Sequence, residues 1–149
     1  MRIFWGILLF TWGLAYDVGE RIDSIMLASQ HASSHTLNME TRYVLISFDK
    51  RTTHLQNRTI ARKGGSGYLE REKIFSMVDA SQVPPSILSL FVLPNLQSYE
   101  APLLLCHDAN LCRQFPYLEG HLTLLQLDRG EVRALTFIDE ARFLEAILP

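Results

Sequence analysis

Residues 42–78 constrain the fold more than any other stretch of this chain. Arg42 to Phe48 reads R-Y-V-L-I-S-F, dense in aromatic and branched residues. Such a run suits a central strand buried on both faces. Thr52 to Lys63 has helical composition, and Gly64-Gly65-Ser66-Gly67 stops it. Tyr68 to Lys73 offers one more helical turn, and Ile74 to Val78 is a second apolar strand. A crossover helix between two apolar strands is the unit from which layered α/β domains are built.

The flanking segments extend this pattern. Residues 17–41 read as an extended lead-in, with Ile22, Ile25, Leu27 and Leu37 apolar among polar neighbours. Ser29 to Ser34 is turn-rich and predicts two short strands around it. Val83-Pro84-Pro85 opens an apolar segment, Ser86 to Leu93, closed by Pro94. It is apolar nearly all round, which predicts a buried helix with proline in its first turn. Pro102 to Cys106 predicts a third strand, and Asp108 to Phe115 a short helix or turn. Leu122 to Leu127 and Glu131 to Ile138 predict two more strands, joined by a hairpin turn at Asp128-Arg129-Gly130. A last helix runs to Leu148, with Asp139 as its N-cap and Phe143, Leu144, Ile147 and Leu148 as its apolar face. The order implies a three-layer α/β domain, a mixed sheet with helices on both faces.

The chain has 149 residues, one domain's worth, with 48% apolar and 20% charged residues. That composition excludes disorder. The net charge of -2, with Lys and Arg spread along the chain, gives no clustered basic face for nucleic acid. Positive charges thicken between Arg51 and Lys73. They read as the solvated side of a helix and loop, with an anion site as the alternative. The first fifteen residues differ from the rest: Arg2 is followed by the apolar run Ile3 to Leu14, with Gly13 and Ala15 small before Tyr16. This is the pattern of a signal peptide over residues 1–15. The run falls short of the ~20 residues of a membrane-spanning helix, so a retained anchor is the second reading. Residues 16–149 are then a single domain, expected in a bacterial periplasm.

Two further stretches carry a family resemblance. Asp17 to Leu37 reads D-V-G-E-R-I-D-S-I-M-L-A-S-Q-H-A-S-S-H-T-L. Near the other end stand P-L-L-L-C-H-D-A-N-L-C-R-Q-F-P and L-T-L-L-Q-L-D-R-G-E-V-R-A-L-T-F-I-D-E-A-R-F-L-E-A-I-L. In this order and spacing they resemble secreted thioredoxin-like proteins of the TlpA and peroxiredoxin type. They are also similar to short exported proteins of Campylobacterota, some labelled flavin-dependent dehydrogenases. No G-x-G-x-x-G supports that label, and no cofactor is expected. The resemblance implies a thioredoxin-like three-layer sandwich with an N-terminal β-hairpin extension. It also implies a reactive cysteine directly after the strand Arg42 to Phe48, and a cis-proline opposite.

Here the strand leads into Asp49, Lys50, Arg51, Thr52, Thr53 and His54, none of which exchanges thiols. Gly120 and His121 stand where the proline is expected. These eight residues are the expected binding surface of a protein without the usual redox site, its partner a periplasmic protein or peptide. Cys106 and Cys112, spaced C-x5-C, fit a structural bridge, two buried thiols or a displaced redox pair. His31, His35, His54, His107 and His121 lack a recognisable ligand spacing, so a metal site is the weaker alternative. No G-x-S-x-G elbow and no phosphate loop occur.

Overall fold

The computed structural model describes residues 15–149. The expected signal peptide thus lies outside the described residues, apart from Ala15. Among the described residues, no helix is long and apolar enough to cross a membrane.

The lead-in forms a hairpin of β1, Ile25–Ala28, and β2, Ser34–Leu37, paired antiparallel. Ser29 shapes its turn, because its hydroxyl oxygen accepts from the backbone N–H groups of His31 and Ser33. The next strand, β3, is Tyr43–Ser47, followed by α1, Lys50–Lys63, and α2, Ser66–Arg71. Strand β4, Ile74–Asp79, completes the crossover and lies parallel to β3. Gly64, at φ 130°, ends α1 in a conformation that side-chain-bearing residues avoid.

The segment after β4 is helical in three pieces: α3, Pro85–Ile87, a π-helical turn at Leu88–Val92, and α4, Leu93–Leu96. Strand β5, Leu104–Cys106, pairs parallel with β4, and α5, Ala109–Cys112, follows it. Strands β6, Leu122–Asp128, and β7, Glu131–Ile138, form an antiparallel hairpin. At its turn both Arg129 and Gly130 have positive φ, 51° and 84°, matching the twist of a two-residue hairpin. The final helix is α6, Ala141–Ile147.

The five-stranded sheet has the order β5-β4-β3-β6-β7, and β6 runs antiparallel to β3. Successive residues of β3 point to opposite faces, so one strand feeds two cores. Val44 and Ile46 join Phe75, Met77, Leu104, Leu125 and Phe115 beneath the lead-in, the hairpin and α5. Leu45 joins Ile60, Leu122, Leu124, Ile138 and Leu144 beneath α1, α2 and α6. The result is the expected α/β sandwich, a central mixed sheet between helical layers with an N-terminal hairpin added.

Two local expectations are corrected. The apolar segment from Ser86 to Leu93 is not a buried helix: no residue of α3 or of the π-helical turn is buried, and Leu90 and Phe91 are 68% and 62% exposed. Only its far end is anchored, through Val92, Leu93, Leu96 and Tyr99 packing on Val78, Leu103 and Leu105. The N-cap of α6 is Glu140 rather than Asp139, and it makes no side-chain cap bond. Asp139 precedes the helix and gives its backbone carbonyl to Arg51. Along α6, Leu144 and Leu148 are buried while Phe143 stays exposed.

Candidate functional site

The site begins where β3 ends and α1 starts. Asp49 caps α1: its Oδ1 accepts from the Thr52 N–H at 2.8 Å, and Thr52 Oγ1 accepts from the Asp49 N–H at 3.4 Å. This reciprocal box satisfies two otherwise orphaned donors and starts the helix two residues before the composition suggests. Thr53 also turns inward, donating from Oγ1 to the Asp49 carbonyl at 2.6 Å, with Ser47 Oγ at 2.9 Å. Thr52 and Thr53 are therefore buried members of the scaffold. Asp49, Lys50, Arg51 and His54 reach solvent.

Arg51 closes one side of the tip. Its guanidinium donates to the backbone carbonyls of Gly120 and Asp139. The structure thus brings the start of α1 against Gly120. Gly120 has φ 77°, and no cis peptide occurs among the described residues. His121 is half-buried, its Nδ1 donating to the Glu119 carbonyl at 2.9 Å. Its Nε2 lies 3.9 Å from the Asp139 carboxylate.

The other side of the tip is open. A groove of about 390 Å³ lies between α1 and the segment that follows β4. Phe48, Asp49, Lys50, Thr53, Val78, Asp79 and Ala80 form one wall and the floor. Val83, Phe91, Val92, Asn95, Leu96 and Tyr99 form the other. It sits at the carboxyl ends of β3 and β4, where open α/β sheets bind ligands. Phe48 stacks edge-on against Tyr117, itself exposed, which extends the apolar surface beyond the groove. Burial raises the pKa of the Tyr99 phenol, whose oxygen is 3.1 Å from His54 Nδ1. A wider depression of about 580 Å³ lies at the opposite, amino end of β4 and includes only His35 of the expected residues.

Beneath the tip, α1 meets the sheet through polar side chains. Gln56 Nε2 donates to Ser76 Oγ at 2.7 Å and to the Met77 carbonyl at 3.2 Å, and Asn57 Nδ2 donates to the Thr53 carbonyl. Gln56 Oε1 and Asn57 Oδ1 are buried with no protein partner. No thiol stands anywhere on α1, whose sequence is K-R-T-T-H-L-Q-N-R-T-I-A-R-K.

Cys106 and Cys112 form a disulfide, with Cα atoms 6.0 Å apart. Both are buried in the apolar cluster that includes Ile46, Met77, Leu104 and Phe115. Cys112 ends α5, at the pole of the helix that disfavours a thiolate. The histidines are dispersed. His31 Nε2 donates to the Tyr99 carbonyl, and His35 Nε2 lies 3.0 Å from Ser33 Oγ. Among the described residues no three His, Cys, Asp or Glu side chains come together in a metal-holding group.

The sequence reading passed over Phe48, Phe91, Leu96 and Tyr99 as site residues. One signal marked them: from Ala80 to Tyr99 the chain carries no charge. The fold leaves the middle of this uncharged run, Leu90 and Phe91, on its surface.

The fold is thioredoxin-like, and comparison with solved structures agrees. The chain is similar to the peroxidoxin BcpB of Mycobacterium tuberculosis: 15% identity, 88% of this chain and 92% of that one, TM-score 0.54. It is also similar to the thioredoxin domain of a thiol-disulfide oxidoreductase from Bacteroides vulgatus, at 14% identity over 91% of this chain and all of that one (100%), TM-score 0.54. A thiol:disulfide interchange protein from Bacteroides sp. gives 14% identity, 89% and 91% coverage, and a TM-score of 0.54. At such identities the likeness shows the thioredoxin-like fold alone. No family profile and no curated protein matches the chain.

Proposed function

We propose that this protein is an exported, periplasmic binding protein that holds an extended segment of another protein in the groove beside the tip of α1. One observation carries the reading: where thiol chemistry would stand, the chain offers an apolar groove walled by an uncharged segment with Leu90 and Phe91 exposed. The groove is open at the carboxyl ends of two parallel strands, so a chain can lie along it. The tip holds no nucleophilic sulfur, so a bound segment has nothing to react with there.

The test is fluorescence anisotropy with labelled apolar peptides such as Ala-Leu-Phe-Leu-Ala. Phe91→Ser removes a large aromatic surface, so affinity falls by roughly tenfold or more. Binding that ignores Phe91→Ser, or no binding at all, rejects the reading. Export is checked by N-terminal sequencing of the mature protein, expected to start at Tyr16. A start at Met1 in protein taken from the periplasm rejects cleavage.

A second reading has one observation in its favour, the Cys106–Cys112 bridge. A working pair cycles at a potential above about -300 mV, the level below which structural bridges fall. Burial of both sulfurs favours the structural role. Insulin reduction by the wild type, lost in Cys112→Ser, reverses that preference.

A further inference from the structure

We infer that the segment held in this groove continues, beyond its apolar anchor, into acidic residues that lie along α1. The inference rests on the groove reading above and adds the chemistry of the partner.

Helix α1 carries Lys50, Arg51, Arg58, Arg62 and Lys63, together with His54, and no carboxylate. Arg51, His54, Arg58 and Arg62 recur at three- and four-residue steps, so they share one face. With Leu55, Thr59 and Ala141 they line a groove of about 230 Å³ between α1 and α6, and no acidic residue lines it. Their charges are only partly answered. Arg51 is engaged by two backbone carbonyls, and Arg62 meets Glu145 at 2.9 Å. Among the described residues Arg58 has no carboxylate within 4.0 Å. The whole chain has a net charge of -2, so this face is a local exception.

The basic groove and the apolar groove adjoin across α1. Tyr99 lines the apolar one, and its hydroxyl is 3.1 Å from Nδ1 of His54, which lines the basic one. Two carboxylates stand at the apolar end, Asp49, which caps α1, and Asp79, whose Oδ1 accepts from the Ser81 N–H and hydroxyl, so the acidic part of the segment begins beyond them. A segment leaving the apolar end along α1 then meets Arg51, His54, Arg58 and Arg62 in a groove that no carboxylate lines, with Glu145 beside it paired to Arg62. From Lys50 to Arg62 the helix rises about 18 Å, which an extended chain covers in roughly five or six residues. The fit is to an apolar anchor followed by several carboxylates. Both cavities are grooves beside α1, a shape that takes a chain segment rather than a flat anionic membrane.

The probe is the labelled octapeptide Leu-Phe-Leu-Glu-Glu-Glu-Glu-Glu, compared with the counterpart carrying five lysines, on the full mature chain at low salt. The expected result is at least about tenfold tighter binding of the acidic peptide, declining as salt is added. Arg58→Glu abolishes that preference, and a thermal melt of the exposed-site variant matches wild type. Equal affinity for the two peptides, both weakened by Phe91→Ser, overturns the acidic continuation and leaves the apolar groove standing. Arg58-dependent binding that ignores Phe91→Ser supports the acidic track and removes the groove reading. Binding to phosphatidylglycerol vesicles with none to the peptide overturns the inference.

Discussion

Reducing the Cys106–Cys112 bridge tests what those sulfurs are for. The perturbation is one covalent bond in an otherwise unchanged chain. The cysteines are separated by 6 positions, so the bond closes a short loop. Loop-closure entropy at that length is worth about 2 kcal/mol of stability. Both residues are buried, so reduction also leaves two thiols in an apolar cluster, where they pack as small hydrophobes at little extra cost. Equilibrium urea unfolding at pH 7, with and without a strong reductant, reads the difference. With a slope typical of small domains, the midpoint drops by roughly 1 M. The native protein should also resist mild thiols until it begins to unfold, because neither sulfur is accessible. Curves that coincide within about 0.5 kcal/mol contradict the structural role. So does reduction of the native protein as fast as of the unfolded chain.

Gln30 is buried and bonds across the molecule, with Nε2 donating to the carbonyls of Leu96, Tyr99 and Ala101 and Oε1 accepting from the Leu103 N–H. Gln30→Ala strands these groups and should cost roughly 2–3 kcal/mol in urea unfolding, while hydrogen exchange rises over residues 96–103. Asp49→Ala removes the α1 cap and should cost about 1 kcal/mol; Asp49→Asn should recover most of it. Tyr68 is buried, and burial, aided by Glu72, pushes its pKa up to about 12. The unfolded phenol releases its proton near 10 and the folded one later, so this contribution is whole below about pH 10 and is lost as pH rises through about 12. Tyr68→Phe should flatten that alkaline decline in a pH series of thermal melts.

The sheet was legible because its strands carry their environment in their composition. Val44 to Ile46 and Met77 read as buried and are fully buried. Asp128 to Gly130 read as a turn because Gly130 accepts positive φ at no steric cost. Helix α1 was harder. Its inner face is Thr52, Thr53, Gln56, Asn57 and Thr59, with Ile60 the buried aliphatic residue, so it has no apolar stripe to announce its contacts. Its start was missed because a threonine closes the capping box where glutamate or glutamine is the usual signal. The uncharged run near Phe91 was misjudged for a different reason. Apolar composition says that a segment seeks cover, and it does not say whether the cover belongs to the same chain. Asp139 looked like a cap, but Arg51 holds its carbonyl ahead of the helix, an interaction between residues far apart in sequence.

Backbone amide shifts during titration with Ala-Leu-Phe-Leu-Ala test most directly whether the tip of α1 holds a segment without reacting. Shifts should concentrate on Phe48 to Thr53, Val78 to Val83 and Phe91 to Tyr99, with the amide of Cys112 unmoved. Repeating the titration with one peptide leucine replaced by cysteine should yield no covalent adduct by mass spectrometry. Shifts centred on Cys106 to Phe115, or a peptide captured as a mixed disulfide on either cysteine, would contradict the account.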